Sequence, residues 1–467
     1  MSRHPLSVAR ENAPGRLNTI GAKLFAAGAG LAALLGVTLS AAAASEKVGP
    51  YDMNWEERIM VASGEAYQGP WRMNESDFRY VDDPSVAFVE GGAVAVAWVD
   101  QARKDIFFQV YTPEGKARFE KRVNISRSPE IFSWLPRIAT AAGDPGRVYI
   151  LWQEIVFSGG THGGEIFFAR SSDGGRSFSE PMNLSNTIAG AGKGRLTRDY
   201  WHNGSLDLTQ SPEGNLYAAW TEYEGALRFS RSTDGGESFS LPIRVGGTGD
   251  SLPARGPSLT AGAGGTVYLA WTVGEDKSAD IRFATSADHG RSFGEPQIVA
   301  RSRGHADAPK IAVDSKGTVH LVFAESPAGP LKSYHIRYTR LRGGERAFEE
   351  PRKIAEAAKR RGSANFPGLS LDGEDRLYVI WELFPEPTSY AQGLGFTYSR
   401  NGGQTFVPAV EIPGSGERAL GSSGGRQGLL MRKLAVNAAG EIVVVHSTFD
   451  QGNSSHIWLL RGKAGQR

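Results

Sequence analysis

Cysteine is absent from this 467-residue chain. That absence excludes disulfides, thiolate metal centres and a lipid-modified cysteine behind a leader. Stability must come from packing, which a chain of this length can supply. An excess of one charge is also missing, since 52 Lys and Arg face 50 Asp and Glu, for a net +2. Interspersed, balanced charge offers no groove for nucleic acid and no basic patch for a membrane surface. Beyond the first fifty residues no apolar run is long enough to cross a bilayer. No helical periodicity emerges there either, which leaves strands as the elements to look for.

The beginning of the chain does carry an apolar run. Arg16 and Lys23 precede Leu24 to Val37, and Ala41 to Ala44 follow. A basic stretch, an apolar stretch and a small-residue site are the parts of an export signal. Residues 1–44 are therefore expected to be removed, leaving 45–467 as one exported domain, periplasmic or secreted. The other reading is an uncleaved anchor, because Leu24 to Ala44 could just span a bilayer.

What is abundant is glycine, at 59 residues, and part of it falls in a repeat. The segments Ser171 to Phe178, Ser232 to Phe239, Ser286 to Phe293 and Ser399 to Phe406 share the pattern Ser-x-Asp-x-Gly-x-Ser/Thr-Phe, with Asn in the last copy. Asp173, Asp234, Asp288 and Asn401 can accept backbone N–H bonds two or more residues on, while Gly supplies positive φ. These residues read as structural, since a repeated turn stabilises a repeated hairpin.

Short β-branched strands ending in an aromatic residue recur at about fifty to seventy residues, at Trp98, Trp152, Trp220, Trp271, Phe323 and Trp381. A seventh, Ile442 to His446, keeps the strand and loses the aromatic ring. A strand opened by proline precedes most of them, at Pro84, Pro136, Pro257, Pro309 and Pro367. A third strand, the repeated turn and a fourth strand follow. Four strands per unit and seven units predict an all-β, seven-bladed β-propeller. The last unit runs out after its third strand, so Arg58 to Ala62 is expected to complete it and close the ring. Closure removes open sheet edges.

The four turns resemble the Asp-boxes (BNR repeats) of the sialidase, or neuraminidase, superfamily of β-propellers, and the resemblance covers about residues 51 to 467. It implies a propeller, six-bladed in most sialidases, with its site at the axial end of the inner strands. It also implies three arginines for a substrate carboxylate, an Asp acid/base, and a Tyr nucleophile activated by Glu. The first arginine of that family lies in a Phe/Tyr-Arg-Ile-Pro motif. Here Tyr80 to Asp83 separate Phe78-Arg79 from Pro84. Tyr200, Tyr223 and Tyr390 are candidate nucleophiles without a motif.

Topology puts the loops entering the first strands and leaving the second strands on one face, and the repeated turns on the other. The first face collects Asp100, Glu154, Glu222, Glu325 and Glu382 after the second strands. The entering loops add Asp82, Asp83, Arg137, Arg198, Asp199, His202, Asn203, Arg255, His305, Asp307, Asn365 and Arg426, and His162 lies in a long loop. Glu222, Asp100, Glu154 and His202 are the candidate acid/base groups. Arg137, Arg198, Asp199, Asn203, Arg255 and Arg426 are candidates for holding an anionic substrate. Glu222 is expected between Arg137 and Arg255. No metal or cofactor is expected. Two functions fit: recognition of an acidic or polar glycan, with or without its hydrolysis, or a non-catalytic scaffold with a protein partner.

Overall fold

Each of the six aromatic-ended runs is the second strand of a four-stranded antiparallel blade, and the seventh run, ending at His446, is the second strand of a last blade with six strands. The computed structural model describes residues 53–464, apart from 142–143, 157–162, 188–189, 198–199, 248–251, 276–277, 303, 357–361 and 425–431. Signal-type residues 1–44 and the candidates His162, Arg198, Asp199 and Arg426 lie outside the described residues. Six blades follow one another along the chain, with inner strands Val81–Phe88, Ser133–Ala141, Leu206–Gln210, Ala254–Ala261, His305–Val313 and Ser363–Leu371. Among the described residues there is no α-helix.

The second strands are apolar on both faces because each lies in a sheet packed between two other sheets. Val94–Asp100 is buried at every position. Trp98, Trp152, Trp220, Trp271, Phe323 and Trp381 are each at most 1% exposed, and His446 occupies the same place in the seventh blade, fully buried.

The seventh blade is built from both ends of the chain. Glu441–Asp450 pairs with Ser454–Ala464, and Ile59–Gly64 adds to the outside of the latter through Ile59↔Leu459 and Ser63↔His456. Met53–Trp55 extends the same edge, opposite Gly462 to Ala464. Arg58 locks the arrival of this strand: it lies 4.3 Å over the Trp458 ring and bonds Glu417 at 2.9 Å. The ring is closed as expected.

Proline does not open the inner strands; it sits inside them. Asp83, Leu135, Gly256, Ala308 and Phe366 each stand directly before a proline with φ between 52° and 58°, at the point where the register slips in each inner strand. A bulge is where a residue without an N–H costs no ladder bond. Left-handed Leu, Ala and Phe are uncommon and strained. The five bulges bend the strands at the axial end that carries the candidate site.

The four repeated turns form as expected. In one of them Ser232 Oγ donates to Asp234 Oδ1 at 2.7 Å, Ser238 N donates to the same oxygen at 3.0 Å, and Ser238 Oγ donates to Oδ2 at 2.5 Å. Each turn also staples two blades. Phe178, Phe239, Phe293 and Phe406 pack edge-on against Phe108, Phe168, Phe229 and Tyr338 of the preceding blade, with centroids 4.9 to 5.2 Å apart. Gly236 is required twice over, by φ of +84° and because a Cβ there would lie 2.8 Å from Phe168 Cζ.

Candidate functional site

A hairpin inserted between the second and third blades forms one wall of the main cleft. Its strands Lys193–Thr197 and Tyr200–Asn203 place Trp201 opposite Arg195. Trp201 stacks on Tyr223 of the third blade at 5.2 Å and 11°, and Arg195 pairs with Glu275 of the fourth blade at 2.7 Å. Anchored on both sides, the hairpin presents Tyr200, His202 and Asn203 to a cleft of about 360 Å³ whose other walls include Asp307, Tyr334, Asn365, Glu382 and Tyr390. Tyr200 and Tyr390 are half-exposed aromatic rings at its rim, 49% and 59% accessible.

Behind this cleft runs a buried chain of polar groups. Arg255, 3% exposed, holds Asp307 through Nε at 3.2 Å, and its Nη2 lies 3.0 Å from His305 Nε2. A guanidinium can only donate, so His305 Nε2 accepts and the ring proton sits on Nδ1. That nitrogen is 2.9 Å from Tyr334 Oη and therefore donates to it. The Tyr334 hydroxyl keeps its own proton for the cleft that it lines. Burial pushes the Tyr334 phenol well above its usual range, with the Asp307 charge acting the same way. Burial also holds His202 and His305 down to about 4, so both rings are neutral at neutral pH. Asp307 lies at about 2: burial opposes its ionisation, but the Arg255 charge prevails.

The structure brings some of the sequence candidates together and separates others. His202, Asn203 and Arg255 meet around Asp307. Glu222 does not stand between Arg137 and Arg255; its carboxylate is gripped at 2.9 and 3.1 Å by Arg228 of its own blade. Glu222 follows directly on the strand Leu216–Thr221, and Arg228 lies on the adjacent strand Leu227–Ser232, opposite Trp220. Asp100 is likewise taken by Arg103 and Arg122, at 2.6 and 2.9 Å. Glu154 is buried against Trp152 Nε1 and Ser128 Oγ, both at 3.1 Å, and burial raises its pKa. Arg137 is fully buried in the channel wall, bonding the carbonyls of Leu135 and Gly204 at 3.1 and 3.0 Å. Among the proposed nucleophiles, Tyr223 is committed to Trp201. Glu382 lines the cleft but is ion-paired with buried Lys433.

Tyr334 and Lys433 had no mark in the sequence. Tyr334 closes the irregular segment Pro327 to Ser333, and Lys433 precedes the short strand Leu434–Val436; neither belongs to a repeated motif.

No protein-family model matches the chain, and no curated protein does. Solved structures do. An ulvan lyase of polysaccharide lyase family 25, bound to -[GlcA(1-4)Rha3S]-, superimposes with a TM-score of 0.53 at 14% identity, over 86% of this chain and 95% of that one. The fold is shared. The polysaccharide lyase Uly1 gives 0.51 at 12% identity, over 87% and 99%. A Trypanosoma rangeli sialidase gives 0.43 at 11%, over 73% and 58%. A Penicillium chrysogenum α-L-arabinanase complexed with arabinobiose gives 0.45 at 13%, over 86% and 98%.

Proposed function

We propose that the protein binds an acidic polysaccharide in the cleft beside the inserted hairpin and cleaves it by β-elimination. The observation that carries this reading is the pairing of two neutral proton-handling side chains, His202 and Tyr334, on one cleft. Glycoside hydrolysis uses two carboxyl groups able to exchange protons. Among the described residues the two carboxylates on this cleft, Asp307 and Glu382, are instead each held by a fixed cation, Arg255 and Lys433. Elimination asks for a base at a carbon acidified by a neighbouring carboxylate, hence a uronic-acid sugar, and for an acid at the leaving oxygen.

The step balances as follows. Neutral His202 takes the proton at C5 of the uronate, and that electron pair forms the C4–C5 double bond. The C4–O4 bond breaks, and the leaving oxygen takes the Tyr334 hydroxyl proton. The hydrogen bond from His305 Nδ1 stabilises the phenolate that results. Tyr200 and Tyr390 offer sugar-stacking surfaces at the rim, and the polysaccharide lyases among the fold neighbours add support. The proposal includes export directed by residues 1–44, to be checked by the mass of the protein recovered outside the cytoplasm.

The test is incubation with a panel of uronate-containing polysaccharides, reading both new reducing ends and the unsaturated uronate chromophore. Both are expected from the parent. Tyr334→Phe is expected to lose at least about tenfold in rate with unchanged folding. Reducing ends without the chromophore, or full rate in Tyr334→Phe, would overturn the reading.

A further inference from the structure

The opposite end of the channel holds a second concave site. The C-terminal halves of the inner strands surround a cavity of about 390 Å³ that opens on the face of the repeated turns, away from the glycan cleft. Lys310 and Arg432 stand in its wall with the hydroxyls of Thr209, Thr260 and Ser370. Different blades supply these groups, so the arrangement exists only in the closed ring.

Its charges do not cancel. Arg432 binds Asp207 Oδ1 at 3.2 Å and the carbonyl of Leu208 at 2.8 Å. Arg137, fully buried, lies within electrostatic reach of Asp207 and Arg432, and its Nε has no hydrogen-bond partner among the described residues. The charges that act on Lys310 are those of Asp207, Arg137 and Arg432. Among the described residues, three cations therefore share one carboxylate. Asp83, whose charge also acts on Arg137, adds little compensation: burial raises its pKa well above the usual carboxylate range, with neighbouring Asp82 acting in the same direction. Lys433, also in the wall, is already matched by Glu382. Burial, followed by the two neighbouring guanidiniums, lowers Lys310 to about 8, while Asp207 alone opposes it.

We infer that this cavity is an anion site, taking an oxyanion group such as a sulfate or phosphate between Lys310 and Arg432. An ammonium that shares its one carboxylate with two guanidiniums, in a walled, partly dehydrated space, favours a compact multivalent oxyanion. The surrounding threonine and serine hydroxyls can donate to its remaining oxygens. This site is independent of the reading of the upper cleft.

The experiment is thermal unfolding of the full chain in millimolar sulfate or phosphate, against chloride and acetate at matched ionic strength. The parent is expected to show a saturable rise of a few degrees in Tm with sulfate and phosphate. Lys310→Gln is expected to remove that rise. In chloride alone the variant should melt close to the parent, because it loses the attraction of Asp207 together with the repulsion of Arg137 and Arg432. A rise that survives Lys310→Gln, or one that grows without saturating, would overturn the inference. Crystals soaked in selenate give a readout that does not depend on the variant. An anomalous peak between Lys310 and Arg432 is expected, and its absence would overturn the site as well.

Discussion

Asp234 shows how much one side chain can do in this fold. Its two oxygens accept from Ser232, Glu237 and Ser238, which closes the turn and sets Phe239 against Phe168 of the preceding blade. The carboxylate is exposed, so the stake is the lost cap rather than a buried charge. Asp234→Ala is expected to lower stability by about 1 kcal/mol, read by denaturant unfolding, with the cleavage proposed for the upper cleft unchanged. A selective loss of activity in the folded variant would place function on the turn face. Asn401 makes the same turn with an amide, accepting from Thr405 N at 2.9 Å and donating to Thr405 Oγ1 at 2.8 Å. Geometry rather than charge is what the position requires. The sequence could reveal this residue because every hydrogen bond it makes is local. It could not reveal Tyr334, whose partner His305 lies 29 positions away.

Among the elements, the strand Ile59–Gly64 carries the most consequence for its length. It covers the outer edge of Ser454–Ala464, and Arg58 beside it bonds the carbonyl of Gly414 at 3.1 Å and the Glu417 carboxylate at 2.9 Å. Deleting residues 58–62 removes ladder bonds and exposes an apolar edge, for a loss of several kcal/mol. The shortened protein is expected to melt lower and to aggregate through the bared strand. Equal melting of the two forms would show that the ring does not need this closure. The inserted hairpin Lys193–Thr197 and Tyr200–Asn203 is the opposite case. It belongs to no blade, and the scaffold could do without it, yet it supplies His202 and Asn203 to the cleft. Connections longer than the fold requires are where function tends to concentrate.

At the scale of the whole molecule, the packed ring keeps several histidines from water. Burial lowers His202 and His305 to about 4 and His446 to about 3, and moves His320, His335 and His456 in the same direction. An unfolded chain protonates these rings near 6.5, whereas the folded one protonates His202, His305 and His446 only near 4 or below and the other three at a lower pH than the free ring. Between those values the unfolded state binds more protons, so stability falls as pH falls from about 6.5 toward 4. Melting temperatures across that window are expected to decline steadily. His446 stands where the other blades have Trp or Phe, so His446→Phe is expected to raise the melting temperature near pH 5 and flatten the slope. An unchanged slope would show that His446 titrates alike in both states.

The blade count, the closing strand and the repeated turns were all legible in the sequence, because each rests on local pattern: a buried aromatic once per unit, a capped turn, a strand left over at each terminus. The prolines were visible, but their place inside bulges was not, since a bulge is defined only by the register of the partner strand. The candidate site was legible as a face and not as a set of partners. Sequence placed Glu222 and Asp100 on that face, and only the packed blades decided that Arg228, Arg103 and Arg122 would take their charges. His202, Asp307, Arg255, His305 and Tyr334 come from two blades and an insertion, and the three cations around Asp207 come from the second, fifth and seventh blades. Such meetings depend on the radius and closure of the ring. Periodicity determines what each blade is, whereas the distances across the axis exist only once seven blades have packed.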